Sequence, residues 1–211
     1  MDMTRDLVVI GLGYVGLPLA QEATRAGLSV TGLDASTAVV DGLRAGRSHV
    51  DDLSDSDLAE MIALGFDVTT DPNVIAEAET IVICVPTPLT PEGGPDLGAV
   101  LSATRAIADH LRPGQLVVLE STTYPGTTDD EVRPVLEARG LVAGTDFHLA
   151  FSPERIDPGN PTFGMRNTPK VVGGHTAACT TVAAAFYGRF VDTVVTAKGT
   201  REAEMAKLLE N

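Results

Sequence analysis

Three glycines, Gly11, Gly13 and Gly16, stand in the run VVIGLGYVGLPLA with the spacing G-x-G-x-x-G, after the apolar stretch DLVVI and ahead of helix-forming sequence. The spacing gives each glycine its own physical task. The first allows a tight turn, the second lets backbone approach a pyrophosphate, and the third lets a helix lie close against a strand. Tyr14 and Val15 complete the motif and are expected beside the same ligand. The helix start then offers unpaired N–H groups and the positive end of its dipole to phosphate oxygens. Asp34 ends the next apolar run, LSVTGLD, 18 residues past Gly16 (34 − 16). That is near the spacing of the acid that accepts hydrogen bonds from a ribose diol, and a carboxylate there repels a 2′-phosphate, which favours NAD over NADP. Glycines alone could merely tighten a turn. Strand, helix and acid together make the dinucleotide reading the stronger one.

Three further stretches break the periodic pattern, residues 86–95 (PTPLTPEGGP), 121–127 (STTYPGT) and 152–169 (SPERIDPGNPTFGMRNTP). Each follows the carboxyl end of a strand candidate, the edge where open parallel sheets bind ligands. Glu154 lies in the third, where either a catalytic carboxylate or an ordinary exposed acid would be at home. Thr127, with Asp130 three residues on, reads as a helix cap. Glu120 is open between binding an amide or ribose hydroxyl and forming a structural salt bridge. The two cysteines, Cys84 within TIVICVP and Cys179 in an alanine-rich helical run after Gly173-Gly174, give neither a disulfide framework nor a metal-ligand spacing, and Cys84 reads as a small buried side chain in mid-strand. The histidines at 49, 110, 148 and 175 show no partner spacing and read as structural or surface residues.

The elements that must position these groups are legible as alternation. DLVVIG, LSVTGLD, FDVTT, TIVICVP, QLVVLES, FHLAFS, KVVGG and VDTVVT read as strands, separated by helical patterns. Ser54 with Asp57 makes a capping box, Asp71-Pro72 places proline at a first helical position, and Asp96 precedes LGAVLSATRAIADHL. The expected fold is α/β, a Rossmann-like, doubly wound, mostly parallel sheet of about eight strands over residues 1–198. Residues 199–211 read as strongly helical, with an apolar stripe that is expected to find nothing to pack against.

Composition narrows the partners. The chain carries 29 acidic and 15 basic residues, a net charge of −14, which repels a phosphate backbone and argues against nucleic-acid binding. No apolar run approaches the roughly 18 residues of a membrane span. The opening Met-Asp-Met-Thr-Arg-Asp lacks the pattern of a secretory signal, so a cytoplasmic location is expected.

GLGYVGLPLA, VICVPTPL, ESTTYPGTT, FSPERIDPGN and EAEMAKLLEN, in order from residue 8 to residue 211, resemble the nucleotide-sugar 6-dehydrogenase (UDP-glucose/GDP-mannose dehydrogenase) family. The resemblance is greatest to its UDP-N-acetylglucosamine and UDP-N-acetylmannosamine branch. It implies oxidation of a sugar C6 alcohol to a carboxylate in two hydride transfers to NAD⁺, a UDP-sugar substrate, a role in polysaccharide biosynthesis, and a homodimer through the helix begun at 199. By the same resemblance Val85, Pro86, Thr87 and Pro88 line the nicotinamide side. Ser121 and Thr122 supply hydroxyls beside the cofactor, with Thr122 holding a water. Glu154 is the acid–base carboxylate, and it contacts substrate together with Arg155 and Ile156. Where the UDP-glucose branch carries a second glutamate after the SPE triplet, this chain has Arg155-Ile156-Asp157-Pro158-Gly159-Asn160, a run like that of the N-acetylhexosamine branch. Arg155 is open between a diphosphate contact and a local ion pair. The family's catalytic lysine, asparagine and cysteine are expected beyond Asn211, with Lys207 matched to the lysine of the family's EAEmaKL helix motif and not to the catalytic one. The alternatives are a UDP-glucose or GDP-mannose enzyme, a two-electron hydroxyacid or sugar-phosphate dehydrogenase, and a stand-alone NAD-binding module.

Overall fold

The structure, a computed structural model, describes residues 5–91, 93–154 and 164–210, the last three by backbone only. All eight expected strands form. β1 (Arg5–Ile10), β2 (Val30–Leu33), β3 (Asp67–Thr69), β4 (Ala78–Ile83), β5 (Leu116–Leu119), β6 (His148–Phe151), β7 (Lys170–Gly174) and β8 (Val194–Thr196) make one sheet in the order β3-β2-β1-β4-β5-β6-β7-β8. Every neighbouring pair is parallel except β6 and β7, which run antiparallel with Phe151 opposite Gly173.

Strand residues alternate between two cores, as a sheet covered on both faces requires. Leu7, Val9, Val82, Val118 and Ala150 face one core. It lies under α1 (Gly16–Arg25), α2 (Thr37–Arg44), α3 (Asp55–Ala63) and α6 (Ala177–Tyr187). Val8, Ile10, Ile81, Val117 and Leu149 face the other, which is covered by the 3₁₀ turn Pro72–Glu77, α4 (Gly98–His110) and α5 (Arg133–Glu137). The chain winds outward from β1 in both directions, so the loops after β1 and β4 diverge and leave a crevice between them.

The expected caps at Ser54 and Asp71 form. Ser54 and Asp57 exchange the two bonds of a capping box, and Asp71 accepts from the Asn73 N–H at 3.0 Å. Asp96 accepts from the Gly98 N–H at 2.8 Å, one residue ahead of the cap position at Leu97. Thr127 departs from the expectation. Its hydroxyl donates to the Tyr124 carbonyl, and residues Thr127–Val132 form a π-helical turn entered through Gly126 at φ +105°.

The cap of that turn comes from α7 (Thr200–Glu210). The buried Glu204 carboxylate accepts from the Gly126 N–H, from the Thr128 N–H at 2.9 Å and from the Thr128 hydroxyl at 2.7 Å. Burial pushes the Glu204 carboxyl up from its ordinary range against the pull of these bonds. The expectation of an unpacked stripe on this helix is therefore corrected for its first turns: Thr200, Ala203 and Glu204 are all buried. Gly173 makes this possible, since a Cβ there would stand 2.0 Å from the Gly199 carbonyl oxygen. Among the described residues no helix is long and apolar enough to cross a membrane.

Replacing Glu204 with alanine strands the Gly126 and Thr128 N–H groups in the interior. Such orphaned groups cost about 1–3 kcal/mol each, so Glu204→Ala is expected to lose about 2–4 kcal/mol in urea unfolding. A stability equal to the parent chain would show that the helix is not held by this carboxylate.

Candidate active site

The three motif glycines are needed for three different reasons. Gly11 turns the chain at φ +91°, and a Cβ on it would lie 2.8 Å from the Cys84 carbonyl oxygen. Gly16, the first residue of α1, would place a Cβ only 1.9 Å from the Gly11 carbonyl oxygen. A Cβ on Gly13 would meet nothing of the protein within 4 Å. Two glycines thus serve the fold, and the third faces open space where a ligand can approach backbone. No side chain caps α1; the Leu17 N–H donates to the Gly13 carbonyl at 3.1 Å and Pro18 carries no N–H, so what the helix start offers an anion is chiefly the positive end of its dipole.

Asp34 follows β2 directly. One of its carboxylate oxygens accepts from the Leu12 N–H and the other from the Ser36 N–H, both at 2.9 Å. The acid is thereby fixed against the glycine loop. It also borders two clefts that share Gly11, Val85 and Pro86. The larger, about 470 Å³, runs past Tyr14 and Val15 to Thr87, Glu120, Ser121 and Thr122. The smaller, about 400 Å³, is a mostly apolar slot between Leu33, Thr70 and the Ala99, Ser102 and Ala103 face of α4. One lobe suits a planar base and the other a nicotinamide, with the glycine loop and Asp34 between them. The residues present therefore fit a dinucleotide.

The loops after β4 and β5 brace each other. The Ser121 hydroxyl donates to the Val85 carbonyl at 2.7 Å, and the Thr87 hydroxyl donates to the Thr122 carbonyl at 2.6 Å. Ser121 is buried with its proton committed to the protein, whereas Thr122 is exposed at the cleft. Tyr14 is exposed at the other side, its hydroxyl 3.4 Å from an Asp51 oxygen. Cys84 lies one residue past β4, on the cleft floor rather than mid-strand, and burial with the nearby Glu120 charge pushes its thiol well up. Cys179 is buried in the first turn of α6. His49 is exposed on the cleft wall.

Glu120 resolves as an ion pair. Its side chain is completely buried, with one oxygen 2.8 Å from Lys170 Nζ and the other accepting from the Tyr187 hydroxyl. The same Nζ lies 3.3 Å from a Glu154 oxygen. Burial pushes the Glu120 carboxyl and the Tyr187 hydroxyl up, while the two carboxylates hold the Lys170 ammonium above its ordinary value despite its burial. Glu154 is thus brought to the carboxyl edge beside Glu120. Lys207, set aside from sequence as a helix lysine, donates from Nζ to the Glu154 main-chain carbonyl. Arg155 and Ile156 lie outside the described residues.

Sequence reading passed over Lys170, Tyr187 and the α4 face. Strand parity offered a signal for the first, because residues 116, 118 and 120 face the same core as 150, 152 and 154. A charged residue at an inward position of a buried strand calls for an opposite charge across from it.

The glycine geometry separates folding from binding. Gly13→Ala is expected to keep the melting temperature and to weaken NAD⁺ binding at least about tenfold, because its methyl occupies ligand space. Gly16→Ala is expected to lower the melting temperature by several degrees, since the clash is with backbone. Calorimetric titration and thermal unfolding of the two variants read both effects, and equal behaviour of the pair would contradict these assignments.

Residues 5–191 match the model of the UDP-glucose/GDP-mannose dehydrogenase family, NAD binding domain. Protein CapL of Staphylococcus aureus is 35% identical over 99% of this chain and 49% of its own length. The UDP-N-acetyl-D-glucosamine 6-dehydrogenase of Pseudomonas aeruginosa is 35% identical over 97% of the chain and 48% of its own. A solved UDP-D-ManNAc dehydrogenase from Pyrococcus horikoshii superimposes with a TM-score of 0.90 at 34% identity, covering 97% of this chain and 49% of that one. The chain spans about half the length of the curated relatives it matches. With fold, glycine loop, the acid at the end of β2 and matched domain in agreement, the chain belongs to the UDP-glucose/GDP-mannose dehydrogenase family and carries its NAD-binding domain.

Proposed function

We propose that this chain is the cofactor half of an enzyme that oxidises the C6 alcohol of a UDP-N-acetylhexosamine to the carboxylate. The observation that carries the reading is the convergence at one sheet edge of the hydroxyl loop at Thr122, the Glu154 carboxylate and the Lys207 ammonium, beside the dinucleotide cleft. The relatives support the sugar class: those described above include UDP-N-acetyl-D-glucosamine and UDP-N-acetyl-D-mannosamine dehydrogenases.

When bound, NAD⁺ supplies the hydride acceptor. Asp34 accepts from the adenosine ribose hydroxyls, the Gly11–Gly16 loop and the head of α1 hold the pyrophosphate, and Val85, Pro86 and Thr87 flank the nicotinamide. The first oxidation removes a hydride from C6 and a proton from its hydroxyl, giving the aldehyde. The second adds water and removes another hydride and proton, giving the acid. Thr122 holds the water that Glu154 deprotonates, and the Lys207 ammonium stabilises negative charge developing on the sugar oxygen. Arg155 and Ile156 contact the substrate from the loop that follows. The enzyme acts in the cytoplasm, in polysaccharide biosynthesis, as a homodimer through α7.

Asp34 sets the cofactor. Calorimetric titration is expected to show NAD⁺ binding at least about tenfold tighter than NADP⁺, and Asp34→Ala is expected to narrow that difference. Preference for NADP⁺ in the parent chain would sink the assignment. The 211-residue chain alone is expected to bind NAD⁺ without sustained NADH formation from UDP-N-acetylglucosamine or UDP-N-acetylmannosamine. Cys84 and Cys179, the cysteines of this chain, are both buried and poorly placed to hold an aldehyde. Continuous NADH production by the chain would overturn this.

A further inference from the structure

β7 is antiparallel to β6, and the reversal matters for what reaches the site. A parallel β7 would put its first residue at the amino edge of the sheet. Running the other way, it brings Lys170 to the carboxyl edge, level with Glu154. There Lys170, Glu120 and Glu154 form a cluster with side-chain exposures of 4%, 0% and 10%. Buried ion pairs stabilise a fold no better than apolar residues of the same volume, so the cluster's place beside the cleft is its informative property.

We propose that Lys170 is a positioning residue for Glu154, holding its carboxylate at the cleft edge, and that Glu120, anchored by Tyr187, competes for the same ammonium and sets how firmly Glu154 is held. The proposal rests on the reading of Glu154 as the acid–base group. The sharing is unequal. Lys170 stands 2.8 Å from Glu120 and 3.3 Å from Glu154, and its ammonium lies 5.3 Å from the centre of the Tyr187 ring. Among the described residues, the other groups near Glu154 and its cation include Cys84 after β4, Tyr187 of α6 with Ser152 beside it, and Lys207 of α7, which bonds the Glu154 backbone.

Competition predicts effects of opposite sign. Glu120→Gln removes the rival charge, leaves Lys170 to Glu154, and favours ionised Glu154. Lys170→Met combined with Glu120→Gln keeps the net charge of the cluster and takes the cation away, which favours protonated Glu154. In the 211-residue chain with ¹³C-labelled glutamate, the Glu154 carboxyl titration midpoint is expected to fall by about one pH unit in the first variant and to rise by at least about as much in the second. Glu120→Gln is close to isosteric and carries the test even if the double variant does not fold. An unmoved midpoint in Glu120→Gln overturns the proposal, and so does a double variant that moves the same way.

Failure of the parent reading is separately visible. In steady-state assays of the whole enzyme of which this chain is proposed to be the cofactor half, with NAD⁺ and a UDP-N-acetylhexosamine, Glu154→Gln at parental kcat would remove Glu154 from the chemistry while leaving the titration result as it stands. With Glu154 active, the acid limb of the kcat profile is expected to move with the midpoint in each variant, while KM for NAD⁺ changes less than about twofold.

Discussion

The first turn of α1 presses against the end of β1 at a distance that only a hydrogen on Gly16 permits, with the Gly11 carbonyl 1.9 Å from where a Cβ would stand. This contact sets the angle at which the helix leaves the sheet. With the helix start fixed there, Gly13 is left with its face open at the cleft between the loops after β1 and β4. Asp34 then ties the second strand to the same loop through the Leu12 N–H. The dinucleotide site is therefore a by-product of close backbone packing, and its polar groups are mostly main-chain groups that the fold has already paid to align.

On the far side of the crevice the constraint is electrostatic. Two carboxylates and one ammonium are buried on one face of the sheet, under α6, in a place where any lone charge would be costly. Each group is tolerable because of the others. Tyr187 takes the second Glu120 oxygen, which leaves the Lys170 ammonium as the element that both acids share. The loops that carry Ser121 and Thr87 brace each other beside it, Ser121 following Glu120 directly in the chain.

The legible part of this molecule was the part that depends on local rules. Alternation located all eight strands, and a glycine spacing with an acid at the next strand end located the crevice, because each follows from the nearby chain. The Ser54 capping box formed for the same reason. Thr127 misled because its cap is supplied by Glu204, 77 residues later (204 − 127), and no local pattern announces a partner at that range. Of Lys170 and Tyr187, the first carried only the parity signal of a charge in a buried strand and the second none. Their place depends on the one antiparallel pairing in the sheet and on a helix crossing beneath it. Lys207 was matched to the helix motif and not to the site, and it is the packing of α7 on β7 that brings it to the Glu154 carbonyl.

Glu204 gives α7 a mechanical character. The same side chain that seats the helix on the sheet holds the backbone at Gly126 and Thr128, and those residues close the loop that begins with Ser121 and Thr122. Arg201 grips Asp130 of the same turn, and Thr200 bonds Asp129. The helix is in effect the handle of a short crank. A tilt of its axis cannot be absorbed at a loose joint, because the Glu204 bonds at the centre of the joint are buried and run to the loop itself. Movement at the distal end of α7 would be felt at the threonine facing the cleft, and the tightness of cofactor capture would be felt along the helix.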